Sequence, residues 1–293
     1  MSSISDTNGL TQTAASRAGA VLRAFCFLLL LGSLGLAGCA SSDSEVGGIA
    51  NPNPPETIYA EGDKLLDDRS YKAAAEKFEE VDRDHPYSPL ARRAMVMSAW
   101  SHYKAGDYAE AISTAQRYTT LHPGTKESAL AHHIIASSYY DQIKDPKRDQ
   151  TRTQKALDAL NTVISRYPES RYAEKAKNRI KITQDLLAAK EMDVGRYYLK
   201  QENYLASINR FRAVVTDYQT TAHVEEALLR LTEAYMALGI ANEAQTAAAV
   251  LGHNFPDSKW YPPAYNLLQG SGLEPKQSES SWISRTWGRI TSF

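Results

Sequence analysis

Cys39 is the residue of this 293-residue chain whose surroundings point most clearly to chemistry. Two positive residues, Arg17 and Arg23, precede an apolar run from Ala24 to Leu34. That run is far shorter than the roughly 20 residues that a membrane-spanning helix needs. Positive residues followed by a short apolar segment and small residues are typical of a secretory signal.

The segment Leu36-Ala37-Gly38-Cys39 closes this signal and resembles the bacterial lipoprotein box. Such a box implies cleavage after Gly38, an S-diacylglycerol on Cys39 and an N-palmitoyl group on its amino terminus. Acyl chains contribute about 0.8 kcal/mol per buried CH₂, so two or more of them give stable anchoring. The residues after Cys39 are Ala40 and Ser41, and the absence of Asp there resembles cargo sorted to the outer membrane, facing the periplasm. The alternative is an ordinary secretory signal with a chance cysteine.

Beyond Cys39 the sequence shows none of the usual catalytic motifs. We find no Gly-rich phosphate loop, no His-Glu-x-x-His and no nucleophile-elbow serine. The other cysteine, Cys26, lies inside the signal, so no Cys-based metal site is possible later in the chain. His132 and His133 are adjacent, and on a helix they point about 100° apart, which disfavours a shared metal. With a net charge of −1, no overall field attracts nucleic acid. We therefore expect no enzymatic activity, cofactor, metal or nucleic-acid partner.

Composition divides the chain into four expected parts. Residues 1–38 are the lipoprotein signal peptide. Residues 39–56 are a lipidated flexible tether, because glycines and prolines interrupt them and no apolar period is visible. Residues 57–270 contain few glycines and no strand-like alternation, which predicts helix almost throughout. Residues 271–293 form a tail.

The helical part repeats itself. Related turns end at Pro86, Pro123, Pro168, Gln219 and Pro256. Helices should end ahead of the prolines, which disfavour helical geometry in the preceding residue. Small or apolar residues recur 12, 8 and 5 positions before each turn: Ala74, Phe78, Val81; Ala111, Ala115, Tyr118; Ala156, Leu160, Val163; Ser207, Phe211, Val214; Ala244, Ala248, Leu251. Small residues also recur 24 positions before four of the turns, at Gly62, Ala99, Gly195 and, more bulkily, Thr232.

This pattern resembles the tetratricopeptide repeat (TPR), in which small residues allow two helices to approach closely. It predicts an all-α fold, a TPR-like α-solenoid of about five helix pairs, with N-terminal repeats in 57–168 and C-terminal repeats in 169–270. A coincidental helical bundle is the alternative. Two departures from the repeat are a charged insertion at Lys144–Asp149 and one long helix over Arg171–Lys200.

The order of these features resembles the BamD family of outer-membrane lipoproteins. The resemblance rests on the box, on the tether running into Asn53–Ala60, on His85–Pro89 after the first repeat, and on the fourth repeat from Val194–Tyr198 to Phe211. It implies a non-catalytic component of the β-barrel assembly machinery. In that family the N-terminal repeats are thought to receive unfolded outer-membrane protein precursors, and the C-terminal repeats dock on a POTRA domain of BamA alongside other complex proteins.

The resemblance implies partner-binding residues in the second helix of the fourth repeat, where Arg210 matches a docking arginine and Tyr204 and Phe211 are its neighbours. Binding of a polypeptide by a repeat array needs exposed polar and aromatic side chains. The first repeat offers Tyr59, Tyr71, Tyr87, Arg92 and Arg93 as substrate-binding candidates. For each tyrosine, packing between helices is the competing interpretation.

Two other functions are compatible with the sequence. A TPR lipoprotein that recruits peptidoglycan hydrolases would have the same fold, so only the order of motifs argues against it. An enzyme subunit with a hidden site is disfavoured by the missing motifs.

The tail of 271–293 lies outside the repeat pattern. Trp282, Ile283, Trp287 and Ile290 would share one face of a helix, and Pro275 and nearby serines predict a flexible connection. We expect a flexible amphipathic appendage that becomes helical at a membrane surface or in a partner's groove. A disordered end, or a helix folded back on its own repeats, is the alternative.

Overall fold

The computed structural model describes residues 53–143 and 150–288. Cys39, most of the tether, the insertion at Lys144–Asp149 and the end of the tail with Ile290 lie outside these ranges. The described part contains twelve helices and no strand: α1 (Pro55–Asp67), α2 (Tyr71–Asp84), α3 (Pro89–Ala105), α4 (Tyr108–Leu121), α5 (Ser128–Asp141), α6 (Thr151–Arg166), α7 (Ala173–Lys200), α8 (Tyr204–Asp217), α9 (Val224–Ala237), α10 (Ala241–Asn254), α11 (Tyr261–Gln269) and α12 (Trp282–Gly288). The predicted all-α fold is confirmed.

Helices α1 to α10 form five consecutive pairs, and each helix packs mainly on its neighbours in the chain. The second helices of the pairs end at Asp84, Leu121, Arg166, Asp217 and Asn254. Each of these residues lies two positions before the predicted turn residue, which in four of the five turns is a proline that disfavours helical geometry in the residue before it. The first helices of adjacent pairs are also in contact: α1 contacts α3, and α3 contacts α5. This stacking of pairs is a TPR-like solenoid.

The repeat positions read from the sequence form the core. All fifteen residues predicted 12, 8 and 5 positions before the turns are buried, and none is more than 1% exposed. Ser207, the one polar member, is fully buried and donates its hydroxyl to the Tyr204 carbonyl oxygen at 2.8 Å. The assigned repeat register is therefore confirmed.

Close approach inside a pair depends on glycine in two repeats. A Cβ placed on Gly62 would lie 2.8 Å from the Phe78 ring, and one on Gly195 would lie 2.5 Å from the Phe211 ring. The repeats with Ala99 or Thr232 at this position carry alanine where these two carry phenylalanine. Large and small residues therefore alternate between the paired positions, which conserves the volume between the two helices.

Helix α7 is the long helix predicted from the sequence, with 28 residues and a length of about 42 Å. Its first half contributes Ala176 and Ile180 to a core shared with α6, and its second half contributes Ala188 and Met192 to the core of the last repeats. No helix in the described ranges has the length and apolar character needed to cross a membrane.

The expectation of a flexible tail is wrong for the residues that the structure describes. After the capping helix α11, the chain continues to α12, where Ile283 is fully buried and Trp287 is 8% exposed within the core of the last repeats. Trp282, Ile283 and Trp287 pack on the chain's own repeats, which is the alternative of a helix folded back on them; Ile290 lies outside the described residues. Burial of these side chains removes the reason for a free appendage.

Candidate functional site

The substrate-binding candidates of the first repeats divide into exposed and buried residues. Tyr87 lies in the turn between α2 and α3 and is 99% exposed. Arg92 and Arg93 are exposed near the start of α3, whose first turn is capped by the Ser88 hydroxyl, accepting from Leu90 N–H at 3.2 Å. These three side chains can meet a partner without any rearrangement of the fold.

Tyr59 is a core residue, so the expectation of an exposed contact is wrong for it. Its side chain is only 6% exposed, and its ring meets the ring of Phe78 edge-on at 5.2 Å between centroids. Burial raises the pKa of Tyr59 to about 12, with nearby Asp63 adding to the effect. The Arg93 guanidinium lies 5.4 Å from the ring centroid, so Tyr59 fixes the position of an exposed cation.

The second candidate region surrounds Arg210 on α8. The Arg210 side chain is 46% exposed and its Nη1 donates to Glu191 Oε2 of α7 at 3.2 Å. Together with Tyr198, Asn209 and other side chains, this pair lines an open groove of about 370 Å³. Arg210 is thus held by a carboxylate and remains accessible.

The other two residues expected beside Arg210 do not face the groove. Phe211 is fully buried against Gly195, so its assignment to a partner surface is wrong. Its position eight residues before the turn at Gln219 is one of the core positions of the repeat. Tyr204 is partly buried and packs against the core of the last repeats. Of this predicted group, Arg210 is the exposed residue, Tyr204 is partly buried and Phe211 is buried.

A ladder of polar contacts, which the sequence reading missed, joins the first helices of successive pairs. Tyr103 of α3 donates its hydroxyl to Asp141 of α5 at 2.6 Å, and Arg179 of α7 donates to the other Asp141 oxygen at 3.2 Å. Farther along, Arg196 of α7 donates to Glu226 of α9 at 2.8 Å. Tyr103, Asp141 and Arg179 follow each other at intervals of 38 residues, so the repeat period was the signal that could have found them.

The histidines singled out in the sequence have packing roles. The ring of His133 stacks on Tyr172 with centroids 4.5 Å apart, and burial lowers its pKa to about 4. His132 lies against Tyr167 at 5.4 Å. Within residues 53–143 and 150–288, no group of three His, Cys, Asp or Glu side chains is arranged to hold a metal ion.

Another open groove runs beside the middle of α7 and has a volume of about 880 Å³. Its apolar lining includes Ile164, Ile180 and Ile182, of which Ile182 is 49% exposed. At its rim His223 lies 3.6 Å from Asp185. The groove arises because α7 is twice as long as its partner α8, which has 14 residues.

The family model YfiO, described as an outer membrane lipoprotein, matches residues 51–251. The chain belongs to this family.

Curated relatives in the YfiO family cover most of the chain. The protein of Caulobacter vibrioides named outer membrane protein assembly factor BamD is 44% identical over 240 residues, which are 82% of this chain and 79% of that protein. The BamD protein of Rickettsia prowazekii is 42% identical over 242 residues, covering 83% and 95% of the two chains. Among solved structures, the TPR2AB-domain:pHSP90 complex of yeast Sti1 matches with a TM-score of 0.40 and 14% identity, over 74% of this chain and 84% of that chain.

Proposed function

We propose that the chain is a non-catalytic assembly factor for outer-membrane proteins, anchored by lipid to the outer membrane and facing the periplasm. The observation that carries the proposal is the 44% identity with an assembly factor over 82% of this chain. The family description as an outer membrane lipoprotein supports lipid attachment at Cys39, which lies outside the described residues.

In this proposal the C-terminal repeats dock on a POTRA domain of BamA within the assembly complex. Arg210 supports this assignment because it is exposed and held at a groove by Glu191. A guanidinium with one carboxylate partner keeps further N–H donors for an acceptor on another protein.

Unfolded outer-membrane protein precursors are proposed to bind the N-terminal repeats. Tyr87, with Arg92 and Arg93 five and six residues later, combines an exposed ring with two cations on one end of α3. Such a surface can contact both the aromatic side chains and the acidic groups of an extended polypeptide.

Affinity purification from membranes tests the docking proposal. We expect BamA to be the main protein recovered with the tagged chain. Arg210→Glu should lower that recovery because it replaces the N–H donors offered to the partner with a negative charge, while Arg152→Glu, at an exposed arginine of α6, serves as the matched control. Equal recovery of BamA by both variants would contradict the role of Arg210. Recovery of peptidoglycan hydrolases without BamA would instead support the alternative scaffold function.

Site-specific photo-crosslinking tests the precursor surface. A photoreactive residue at Tyr87 should crosslink newly secreted outer-membrane proteins, whereas one at Leu267, which is 36% exposed on α11, should not. Similar crosslinking at both positions would contradict a precursor site on the first repeats.

A further inference from the structure

The middle of the chain is basic and lies between two acidic parts. Residues 150–200 contain eleven Lys and Arg but only six Asp and Glu. In residues 53–143 the numbers are ten and fourteen, and in residues 201–288 they are six and nine. The overall net charge of −1 therefore conceals a local excess of positive charge on α6 and α7. Such an excess attracts an acidic partner to this part of the fold.

The open groove beside α7 lies within this basic part. Its apolar lining includes Ile164 of α6 together with Ile180, Ile182 and Leu186 of α7. Ile182 is 49% exposed, although Leu187, five residues later on the same helix, is only 2% exposed. An exposed aliphatic side chain beside other apolar groups gains free energy when another molecule covers it. The groove can therefore bury the apolar side chains of a ligand.

Two lysines lie along the same groove. Lys177 and Lys181 are exposed and four residues apart, so they project from the same side of α7. Lys177 lies 3.6 Å from Glu174, but both side chains are largely exposed and such a pair contributes little. Within residues 53–143 and 150–288, Lys181 has no carboxylate partner. The Asp185 carboxylate, which also lines the groove, lies 3.6 Å from the His223 ring. Both lysines are thus available to the carboxylates of a ligand.

Neutral polar side chains also line the groove and have no hydrogen-bond partner among the described residues. Asn178 and Gln184 contribute carboxamides, and Thr220 contributes a hydroxyl. A carboxamide both donates and accepts, so it can pair with the N–H and the C=O groups of a peptide backbone. An extended chain offers these backbone groups along its edges, whereas a helix uses them internally. The lining of the groove therefore favours an extended polypeptide over a helix.

The spacing of the two lysines determines the sequence pattern of such a segment. Four residues of a helix rise by about 6 Å. Two residues of an extended chain span about 6.7 Å, and their side chains point to the same side. Acidic residues at every second position can therefore pair with Lys177 and Lys181, while the residues between them point to the opposite side.

We propose that this groove binds an extended segment of a protein partner in which Asp or Glu alternates with aliphatic residues. The carboxylates pair with Lys177 and Lys181, and the aliphatic side chains cover Ile182 and its apolar neighbours. No residue lines both this groove and the groove of Arg210, so the site is separate from the docking surface proposed above.

A synthetic peptide tests the proposal by fluorescence anisotropy with the purified full chain. The probe is a fluorescein-labelled peptide of about ten residues, roughly 33 Å when extended, in which Glu alternates with Val and Leu. Lys181→Glu should weaken its binding by at least about tenfold, because repulsion replaces a charge-assisted hydrogen bond. Lys200→Glu, the same change about 28 Å away in the last turn of α7, is the matched control and should bind the peptide like the unchanged protein.

A second pair of variants tests the apolar lining. Ile182→Asp should also weaken binding, because it places a carboxylate where the aliphatic side chains of the peptide pack. Leu205→Asp, at a leucine that is 67% exposed on α8, is its control and should have no effect. A peptide with Lys in place of each Glu, and one with Ser in place of Val and Leu, should each bind the unchanged protein at least about tenfold more weakly.

Three results would overturn the proposal. The first is equal binding of the acidic and basic peptides, and the second is equal binding of the acidic peptide to the unchanged and Lys181→Glu proteins. The third is a dimer of the unchanged protein that dissociates in Lys181→Glu, because a second copy would then be the occupant. If circular dichroism shows that Lys181→Glu has lost helical content, Lys181→Gln, which only removes the charge, replaces it and must also weaken binding.

Discussion

Gly195→Ala tests whether the spacing within the fourth helix pair is set by the glycine. An ordinary contact between two carbon atoms is about 3.5–4.0 Å, but a Cβ on Gly195 would lie 2.5 Å from Phe211 Cε1. Phe211 is fully buried, so its ring must move by about 1 Å within a packed core or the two helices must separate.

The expected magnitude follows from two opposing effects. Overpacking of a core by an added methyl group costs about 1–3 kcal/mol. Alanine is favoured over glycine within a helix by about 1 kcal/mol, which offsets part of that cost. We therefore expect a net loss of about 1 kcal/mol in the free energy of unfolding, measured by urea denaturation followed by circular dichroism. Gly62→Ala, facing Phe78 at 2.8 Å, should lose less.

Gly124→Ala is the matched control, because no atom lies within 4 Å of its added Cβ. Its stability should be unchanged or slightly raised, since alanine restricts the unfolded chain. A double-mutant cycle with Phe211→Leu sharpens the test, because the smaller side chain leaves room for the methyl group. The two substitutions should be coupled by at least about 0.5 kcal/mol in the favourable direction. Additive effects, or a stabilised Gly195→Ala protein, would refute the packing argument.

Three further predictions concern the repeat register, pH and the anchor. Ala111→Leu overfills a fully buried helix contact and should lower the free energy of unfolding by about 1–3 kcal/mol in the same urea assay; an unchanged midpoint would contradict the assigned register. His133, with its folded pKa lowered to about 4 by burial and nearby cations, favours the unfolded state when protonated. The contribution of His133 to the free energy of unfolding should therefore be intact above pH 6.5 and fall as the pH drops, with a loss of about 3 kcal/mol below pH 4. His133→Gln should lack this pH dependence when the free energies of unfolding of the two proteins are compared across this range. Cys39→Ser should abolish incorporation of labelled palmitate, and labelling of that variant would show that the thiol is not the lipidated group.

The repeat architecture was predictable from the sequence because each repeat applies the same packing restraint. Ala74 and Ala244 are far apart in the chain, yet both occupy the position where the second helix crosses the first, so both must be small. In four of the five repeats a proline turn then fixes where the second helix ends. The same few positions are therefore restricted to small or apolar residues in five repeats, which makes the repeat visible in the sequence.

The candidate site was less predictable because two signals disagreed for the same residues. The repeat position predicted burial, whereas the expected function predicted exposure to a partner. Phe211 and Tyr59 looked like contact residues as aromatics near functional segments, yet both lie in the core. Arg179 was overlooked because a single exposed-looking cation on a long helix carries no local signal of its partner. Its partner Asp141 lies 38 residues earlier, and only the stacking of α5 on α7 brings them to 3.2 Å.

The tail shows a different limit of the sequence. Its apolar face predicts that a short helix will be buried against something, but the identity of that surface depends on the three-dimensional arrangement of α8, α9 and α10. Tyr235 and Glu243, which bind Trp282 and Ser281, come from two different helices, and neither stands out in the linear sequence.

Helix α7 has a mechanical consequence for the described part of the chain. This one uninterrupted helix contributes side chains to two hydrophobic cores. A continuous helix, and not a hinge, therefore connects the repeats before it with the repeats after it. A displacement of α8 would act on α7 near Met192 and be transmitted along the helix to Ile180, about 18 Å away. Proline substitution at exposed Ile182 would insert a joint between those two points and uncouple the motions of the two sets of repeats.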